Sequence, residues 1–267
     1  MRKAVLVFTI AVLLPTFGWG WGREGHRIIA PVAKDHLNET TKVMIQSLIG
    51  NNHLYSIASW ADDMCKQNRE TGPSSEGSSR SGRRLRHHPT RNMRRFLEHV
   101  RDVGFSGVIN YPTVSRFDGN IRRDLESVGL GFAREVEMIA LARGTGLYTT
   151  CYVRTPDESR QMAEAGVDLI VPHVGLTAGG TIGASHTLSL DEAVKATQDM
   201  IDAARALNSK VIALAHGGPF EGPEQVAYVL ERSDAQGFVG ASSFERLPVE
   251  QAIVGLVKEF KKLRVER

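Results

Sequence analysis

The chain has 267 residues, 42% hydrophobic and 24% charged, with a formal charge of +3. That balance is ordinary for a soluble globular protein of one barrel or two small domains, and by itself it excludes little. The charge is unevenly spread: Arg80, Arg83, Arg84, Arg86, Arg91, Arg94, Arg95 and Arg101 face only Glu98 in their stretch. Such a cluster can meet phosphates, but no aromatic residue is interleaved before Phe96, so a solvated joint is the plainer reading.

Met1, Arg2 and Lys3 open the chain with positive charge, and an apolar run from Ala4 to Phe17 follows. Gly18 and Gly20 stand at the minus-three and minus-one positions for cleavage before Trp21. This is the pattern of a secretory signal over residues 1–20, and the run is too short for a membrane span. Apolar residues from Ile28 to Leu48 recur at helical spacing, with a break at Asn38 and Thr40, and a second short helical pattern runs from Ile57 to Met64. From Gly72 the composition turns to Gly, Ser, Pro and Arg, which predicts a disordered joint over residues 72–87. Cys65 and Cys151 are far apart with no metal-type spacing, so both read as passive thiols.

Past the joint, short β-rich runs alternate with amphipathic helices. Strands are expected at Phe105 to Tyr111, Leu147 to Val153, Asp168 to Val174, Lys210 to His216 and Gly237 to Ser243. Helices are expected near Asn92 to Val103, Phe132 to Ala142, Asp157 to Ala165, Leu190 to Leu207, Pro223 to Glu231 and Pro248 to Lys262, while Asp118 and Gly119 read as a turn. Strands separated by helices must run parallel, which leaves an α/β barrel or a doubly wound sheet. Asn110, His173, His216, Ser242 and Ser243 all fall at the C-terminal ends of strands, where a barrel carries its chemistry, and this favours the barrel.

Several motifs carry a family resemblance. Gly104-Phe-Ser-Gly-Val-Ile-Asn-Tyr-Pro-Thr113, Val171-Pro-His-Val-Gly-Leu-Thr177, Gly180-Thr-Ile-Gly-Ala184, His216-Gly-Gly-Pro219 and Gly240-Ala-Ser-Ser-Phe-Glu-Arg-Leu-Pro248 resemble the phosphoenolpyruvate-hydrolase-like TIM-barrel family. The same domain forms the C-terminal part of tobamovirus-resistance-type proteins. His88-Pro-Thr-Arg-Asn-Met-Arg-Arg-Phe96 resembles the family's segment just after its third strand, so the likeness begins there. The fold expected over residues 88–267 is therefore α/β, a partial (β/α) TIM-type barrel lacking its first strands and preceded by a short α-helical fragment. Five strands cannot close in the usual way, which leaves two bare edges for a partner chain or self-association to cover, and loss of activity is expected.

The resemblance implies a small phosphorylated or carboxylate ligand. Gly217, Gly218, Gly240, Ala241, Ser242 and Ser243 are candidates for a phosphate cradle of backbone N–H and hydroxyl donors, although glycines at these places also make tight βα turns. His173 and His216 are candidate acid/base groups, or barrel-filling residues bonded to backbone. Glu245 is a candidate base, with an ion pair to Arg246 the plainer role. Asn110, Thr113 and Thr177 are candidates for hydrogen bonds at the substrate rim. Intact barrels that process phosphoenolpyruvate use a divalent metal held by acidic groups on early strands.

Trp21-Gly-Arg-Glu-Gly-His26 and Ala58-Ser-Trp-Ala-Asp62 resemble the start of the S1/P1 zinc nuclease family. That resemblance implies zinc held by Trp21, through the amine freed by signal cleavage, with His26 and Asp62. The pattern stops near Glu70-Thr-Gly-Pro73, short of the family's further ligands, so residues 21–71 read as a helical fragment and not an active nuclease. Nucleic acid is not the expected partner. The leader implies secretion, whereas barrels of this kind are intracellular. That conflict, together with the change of family across the joint, points to a chimeric or mis-joined gene.

Overall fold

A computed structural model of the chain describes residues 30–49, residue 53 and residues 92–263. The leader, the Ile57–Met64 helix, the 72–87 joint, Cys65, and the zinc-ligand candidates Trp21, His26 and Asp62 lie outside the described residues. The chain divides into two units, residues 1–66 and 67–267. In the first, residues 30–35 are helical and a second helix, α1, spans Glu39–Ile49. The break falls where the sequence places it, because the Asn38 side chain accepts the Thr41 N–H at 2.8 Å and so caps α1.

The second unit alternates strand and helix. Its elements are α2 (Met93–Asp102), β1 (Gly107–Ile109), a 3-10 turn (Val114–Arg116), α3 (Gly119–Ser127), α4 (Phe132–Gly144), β2 (Tyr148–Val153) and α5 (Pro156–Glu164). They are followed by β3 (Leu169–Pro172), α6 (Leu190–Arg205), β4 (Ile212–Ala215), α7 (Pro223–Arg232), β5 (Gly237–Phe238) and α8 (Arg246–Lys262). Local chemistry sets several of the boundaries. Asn92 caps α2 through the Arg95 N–H, and Thr155 caps α5 with Pro156 in the first turn. Ser189 and Glu192 form a reciprocal capping box at α6. The expected turn at Asp118 and Gly119 is instead the start of α3, Gly119 taking a φ of 55° that suits a residue without a side chain. The last strand is shorter than its sequence suggests, ending at Phe238, and Gly240 to Ser243 belong to the turn that enters α8.

All five strands are parallel and neighbours follow chain order, β1-β2-β3-β4-β5. A doubly wound sheet reverses its order at a switch point, whereas a barrel adds each strand beside the last, so this order is an arc of a barrel. Eight strands close such a barrel, and the described residues supply five of them, so the barrel they form is incomplete.

The two faces of the arc differ. Successive strand residues point to opposite faces, and one row contains Val108, Thr149, Cys151, Val153, Ile170, Ala213 and Ala215, all buried. The helices cover this row, and it joins the core with Leu97, Ile139 and Ile201. The opposite row, which lines a barrel's interior, includes Ile109, Tyr148, Thr150, Tyr152, Ile212 and Leu214, and each of these is half-buried or exposed. Tyr148 is 44% exposed. Val171, on the central strand, is the buried exception. Ile139→Ala is therefore expected to lower stability by about 2–5 kcal/mol, while Tyr148→Ala costs about 1 kcal/mol or less. Urea denaturation of the two variants checks this, and equal losses would mean that the inner row is as tightly packed as the outer.

Candidate functional site

The C-terminal ends of β1, β2, β3 and β4 bring a histidine pair and two tyrosines together. His173 and His216 each follow the last residue of their strand and pair as an isolated parallel bridge. Both are buried. Their rings lie 4.8 Å apart, edge to face. Tyr152, from the inner row of β2, sits 5.7 Å from the His173 ring and 5.1 Å from that of His216. Tyr111 stands 5.7 Å beyond Tyr152, and its hydroxyl accepts from Arg116 Nη1 at 3.2 Å.

Hydrogen bonds fix the tautomers. The His216 Nδ1 lies 2.6 Å from the Val239 carbonyl, which can only accept, so Nδ1 carries a proton. The His173 Nδ1 accepts the Gly175 N–H at 3.2 Å, so it carries none. Burial pulls His173 down to about 3 from an ordinary 6.5, helped by His216, Arg154 and Arg116. Burial also lowers His216, against the Val239 bond that favours its charged form. Both rings are then neutral near pH 7, with the His173 proton and the His216 lone pair both on Nε2. One presents a donor and the other an acceptor. Burial raises the Tyr152 hydroxyl to about 12, so it too stays protonated.

The other candidates fall into three groups. At the loops after β3 and β4, the glycines allow close crossing of backbone. Gly217 and Gly218 have φ of 82° and 55°, and a Cβ on Gly217 would stand 2.2 Å from the Gly175 carbonyl oxygen. The Gly218 N–H donates to that oxygen at 2.8 Å. Thr177 is half-buried in the β3 loop, its carbonyl accepting from Ala184 N–H.

After β5, the Ala241 and Ser242 carbonyls accept from the N–H groups of residues 244–247, so a helical turn begins there and the Ser242 and Ser243 N–H groups head it. Gly240 packs under the Phe244 ring, and Ser243 Oγ donates to the Phe220 carbonyl at 3.4 Å. Glu245 is half-buried in this turn, and Arg246 binds the Gly179 carbonyl at 2.8 Å and Glu250 at 3.4 Å. Val239, whose carbonyl holds His216, lies just ahead of this turn in the chain, so the bond brings the turn beside the histidine pair in space.

Asn110 and Thr113 lie elsewhere. Expected at a rim, both are buried toward the helices and donate to Glu135 of α4, at 2.8 and 2.7 Å, alongside the Val114 N–H at 2.7 Å. The Asn110 amide also copies a peptide group, bonding both the N–H and the carbonyl of Tyr152. Glu135 thereby ties the loop that bears Tyr111 and Arg116 to α4, and the Asn110 amide ties it to β2. Burial raises its carboxyl to about 7 from 4.5; the three donors and the neighbouring Glu158 act in opposite senses, and burial prevails. Glu158 is itself held by the Arg154 N–H at 2.9 Å and by Arg122 at 3.3 Å.

Sequence reasoning missed Tyr111, Tyr152, Arg116 and Glu135. Glu135 had a signal: Phe132, Glu135, Ile139 and Ala142 form the buried stripe of α4, and a carboxylate on such a stripe needs partners. Tyr152 was findable by counting alternate residues along β2 and matching its register to β3.

Among the described residues, no group of three or more His, Cys, Asp or Glu side chains is placed to hold a metal ion. No helix among them is long and apolar enough to cross a membrane.

The fold and this polar cluster define the second unit as part of an α/β barrel with its polar groups at the C-terminal strand ends. Residues 85–263 match the family described as phosphoenolpyruvate hydrolase-like, and the chain belongs to that family. Residues 21–75 match the S1/P1 nuclease family. Over 179 residues, 67% of this chain and 24% of the relative, it is 52% identical to the ToMV susceptible protein tm-1(GCR26) of Solanum lycopersicum. The ToMV resistance protein Tm-1(GCR237) of the same plant is 51% identical over an equal span. The chain thus spans about a quarter of the length of these curated relatives. Among solved structures, 2,3-dimethylmalate lyase, a PEP mutase/isocitrate lyase superfamily member, is 10% identical with a TM-score of 0.32, over 62% of this chain and 78% of that one.

Stability should report the two buried titrations with opposite signs. Glu135, raised in the fold, contributes stability that is present below about 4.5 and lost as pH rises through about 7. His173, depressed in the fold, contributes stability present above about 6.5 and lost as pH falls toward about 3. Urea midpoints of Glu135→Gln and His173→Gln across pH 4–8 check both. The first is expected to flatten the loss between pH 4.5 and 7, and the second the loss below 6.5. Profiles parallel to the parent chain would contradict the assignments.

Proposed function

We propose that the strand ends form a site for a small phosphate- or carboxylate-bearing ligand, handled by His173 and His216, in a barrel whose turnover is impaired by its open interior. The observation that carries this reading is the pairing of two neutral histidines of opposite tautomer on one inner row. Burial, which pulls His173 down to about 3, leaves the ring uncharged near pH 7, so His173 acts as a neutral hydrogen-bond donor. His216, with its lone pair on Nε2, is the group that accepts a proton. The cationic Arg116 beside Tyr111 adds attraction for an anion. Backbone N–H groups of Gly217, Gly240, Ala241, Ser242 and Ser243 supply the phosphate cradle, Gly218 shapes its wall with its own N–H on the Gly175 carbonyl, Glu245 is a second candidate base, and Thr177 lies at the rim.

An open interior admits water, which weakens every electrostatic contact made there. Phosphate release from phosphoenolpyruvate is therefore expected to be slow, and it should fall at least tenfold in His216→Gln, while phosphoenolpyruvate or inorganic phosphate raises Tm in the parent chain and less so in Arg116→Ala. Absence of both turnover and any Tm shift in the parent chain would remove this reading.

The tomato relatives, named for susceptibility and resistance to ToMV, favour a second reading, a non-catalytic barrel that binds protein. For the N-terminal segment, the alternative is zinc-dependent cleavage of single-stranded nucleic acid through Trp21, His26 and Asp62. Its match ends at residue 75, short of the family's remaining ligands, and this favours a remnant.

A further inference from the structure

Strand order sets the polar groups of the arc in a row. Arg116 follows β1, Arg154 follows β2, His173 and His216 follow β3 and β4, and the turn headed by Ser242 and Ser243 follows β5. Neighbouring strands lie about 4.8 Å apart, so the two arginines and the turn stand on opposite sides of the histidine pair. The cations are all on one side of it.

Two buried carboxylates fix the backbones that carry these arginines. Glu158 accepts the Arg154 N–H at 2.9 Å and spends its other oxygen on Arg122 at 3.3 Å. Glu135 accepts from Thr113 and the Val114 N–H, which begin the turn that ends at Arg116. Neither guanidinium is neutralised by these acids, and among the described residues neither has another acidic partner. Both side chains are exposed. Tyr111 steadies Arg116, its hydroxyl accepting from Nη1 at 3.2 Å and its ring centre lying 5.8 Å from the guanidinium carbon. Both charges reach the histidine pair, since Arg154 and Arg116 each disfavour the charged form of His173.

We infer that Arg116 and Arg154 form a carboxylate clamp, and that the ligand of this site is a small phosphate ester with a carboxylate at its far end. The inference rests on the anion-site reading and deepens it by giving the ligand two charged ends. Uncharged histidines cannot balance an anion, so that task falls to the groups on either side of them. The planar guanidinium fork matches a planar carboxylate, whereas backbone N–H groups at the head of a helical turn suit the tetrahedral phosphate. The rings lie 4.8 Å apart, and a chain of about three carbons is long enough to cross such a pair. The middle of that chain then faces the His173 donor and the His216 acceptor.

The probes are 3-phosphoglycerate and glycerol 3-phosphate, which differ only in whether the far end is a carboxylate or a hydroxymethyl group. In isothermal titration the full chain should bind the first at least tenfold more tightly. Arg154→Gln, altered at an exposed position, should keep the Tm of the ligand-free chain. It should weaken 3-phosphoglycerate at least fivefold and leave glycerol 3-phosphate unchanged, while Arg154→Lys, which keeps the charge without the fork, recovers part of the loss. The double variant Arg116→Gln/Arg154→Gln should bind the two probes equally. A parent chain that binds both probes equally would overturn the clamp and leave the anion site standing, as would a preference that survives the double substitution. Equal weakening of both probes in Arg154→Gln would also overturn it, because the arginine would then act on the phosphate. Binding of neither probe by the parent chain would remove the anion-site reading and the clamp together.

Discussion

A parallel sheet is held together by what covers its faces, because every crossover deposits a helix against it and its strands are built for burial on both sides. In this chain the helices cover one face. Cys151, Ile170 and Ala213 stand in register across β2, β3 and β4, and they bury completely beneath the helix layer. Their neighbours one residue along, Thr150, Leu169 and Ile212, stay half-buried on the side where a closed ring would pack them in layers. The fold's rigidity therefore comes from the outer layer. Its chemistry sits at the boundary of the uncovered one.

That boundary explains the electrostatics of the polar groups. Glu135 lies on the helix side of β1, where burial outweighs three hydrogen bonds and keeps the carboxyl easy to protonate. The histidines lie on the inner side but at the strand ends, where Tyr152 and the glycine loops still exclude enough water to keep both rings uncharged. Glu135 positions the loop of Tyr111 and Arg116 without facing the histidines itself. The carboxyl group anchors the loop, and the two neutral imidazoles offer one donor and one acceptor at the strand ends.

Much of the fold was legible because parallel strands read as short apolar runs and the intervening helices carry strong caps. The parallel arrangement followed from that alternation and the barrel class from the polar residues at the strand ends, while the strand order came only with the structure. The strand ends were harder. Gly237 to Ser243 reads as one β run, yet Ala241 and Ser242 give their carbonyls to a helical turn, a choice fixed by the packing of Phe244 on Gly240 and not by local propensity. The α3 helix was hidden behind Asp118 and Gly119, which look like a turn in isolation. His173 and His216 were visible from their positions after strands, but their opposite tautomers depend on Gly175 and Val239, backbone groups that sequence does not align with them. Asn110 looked like a rim residue because a strand end was known and its facing was not.

Amide hydrogen exchange tests the arc most directly. If the sheet ends at β1 and β5, the amides of residues 107–109 and 237–238 exchange at least tenfold faster than those of residues 150–153 and 169–171, which lie in strands paired on both sides. Equal protection of the outer and central strands in the isolated chain would mean that the ring closes on itself, and the account of a one-sided barrel would be wrong.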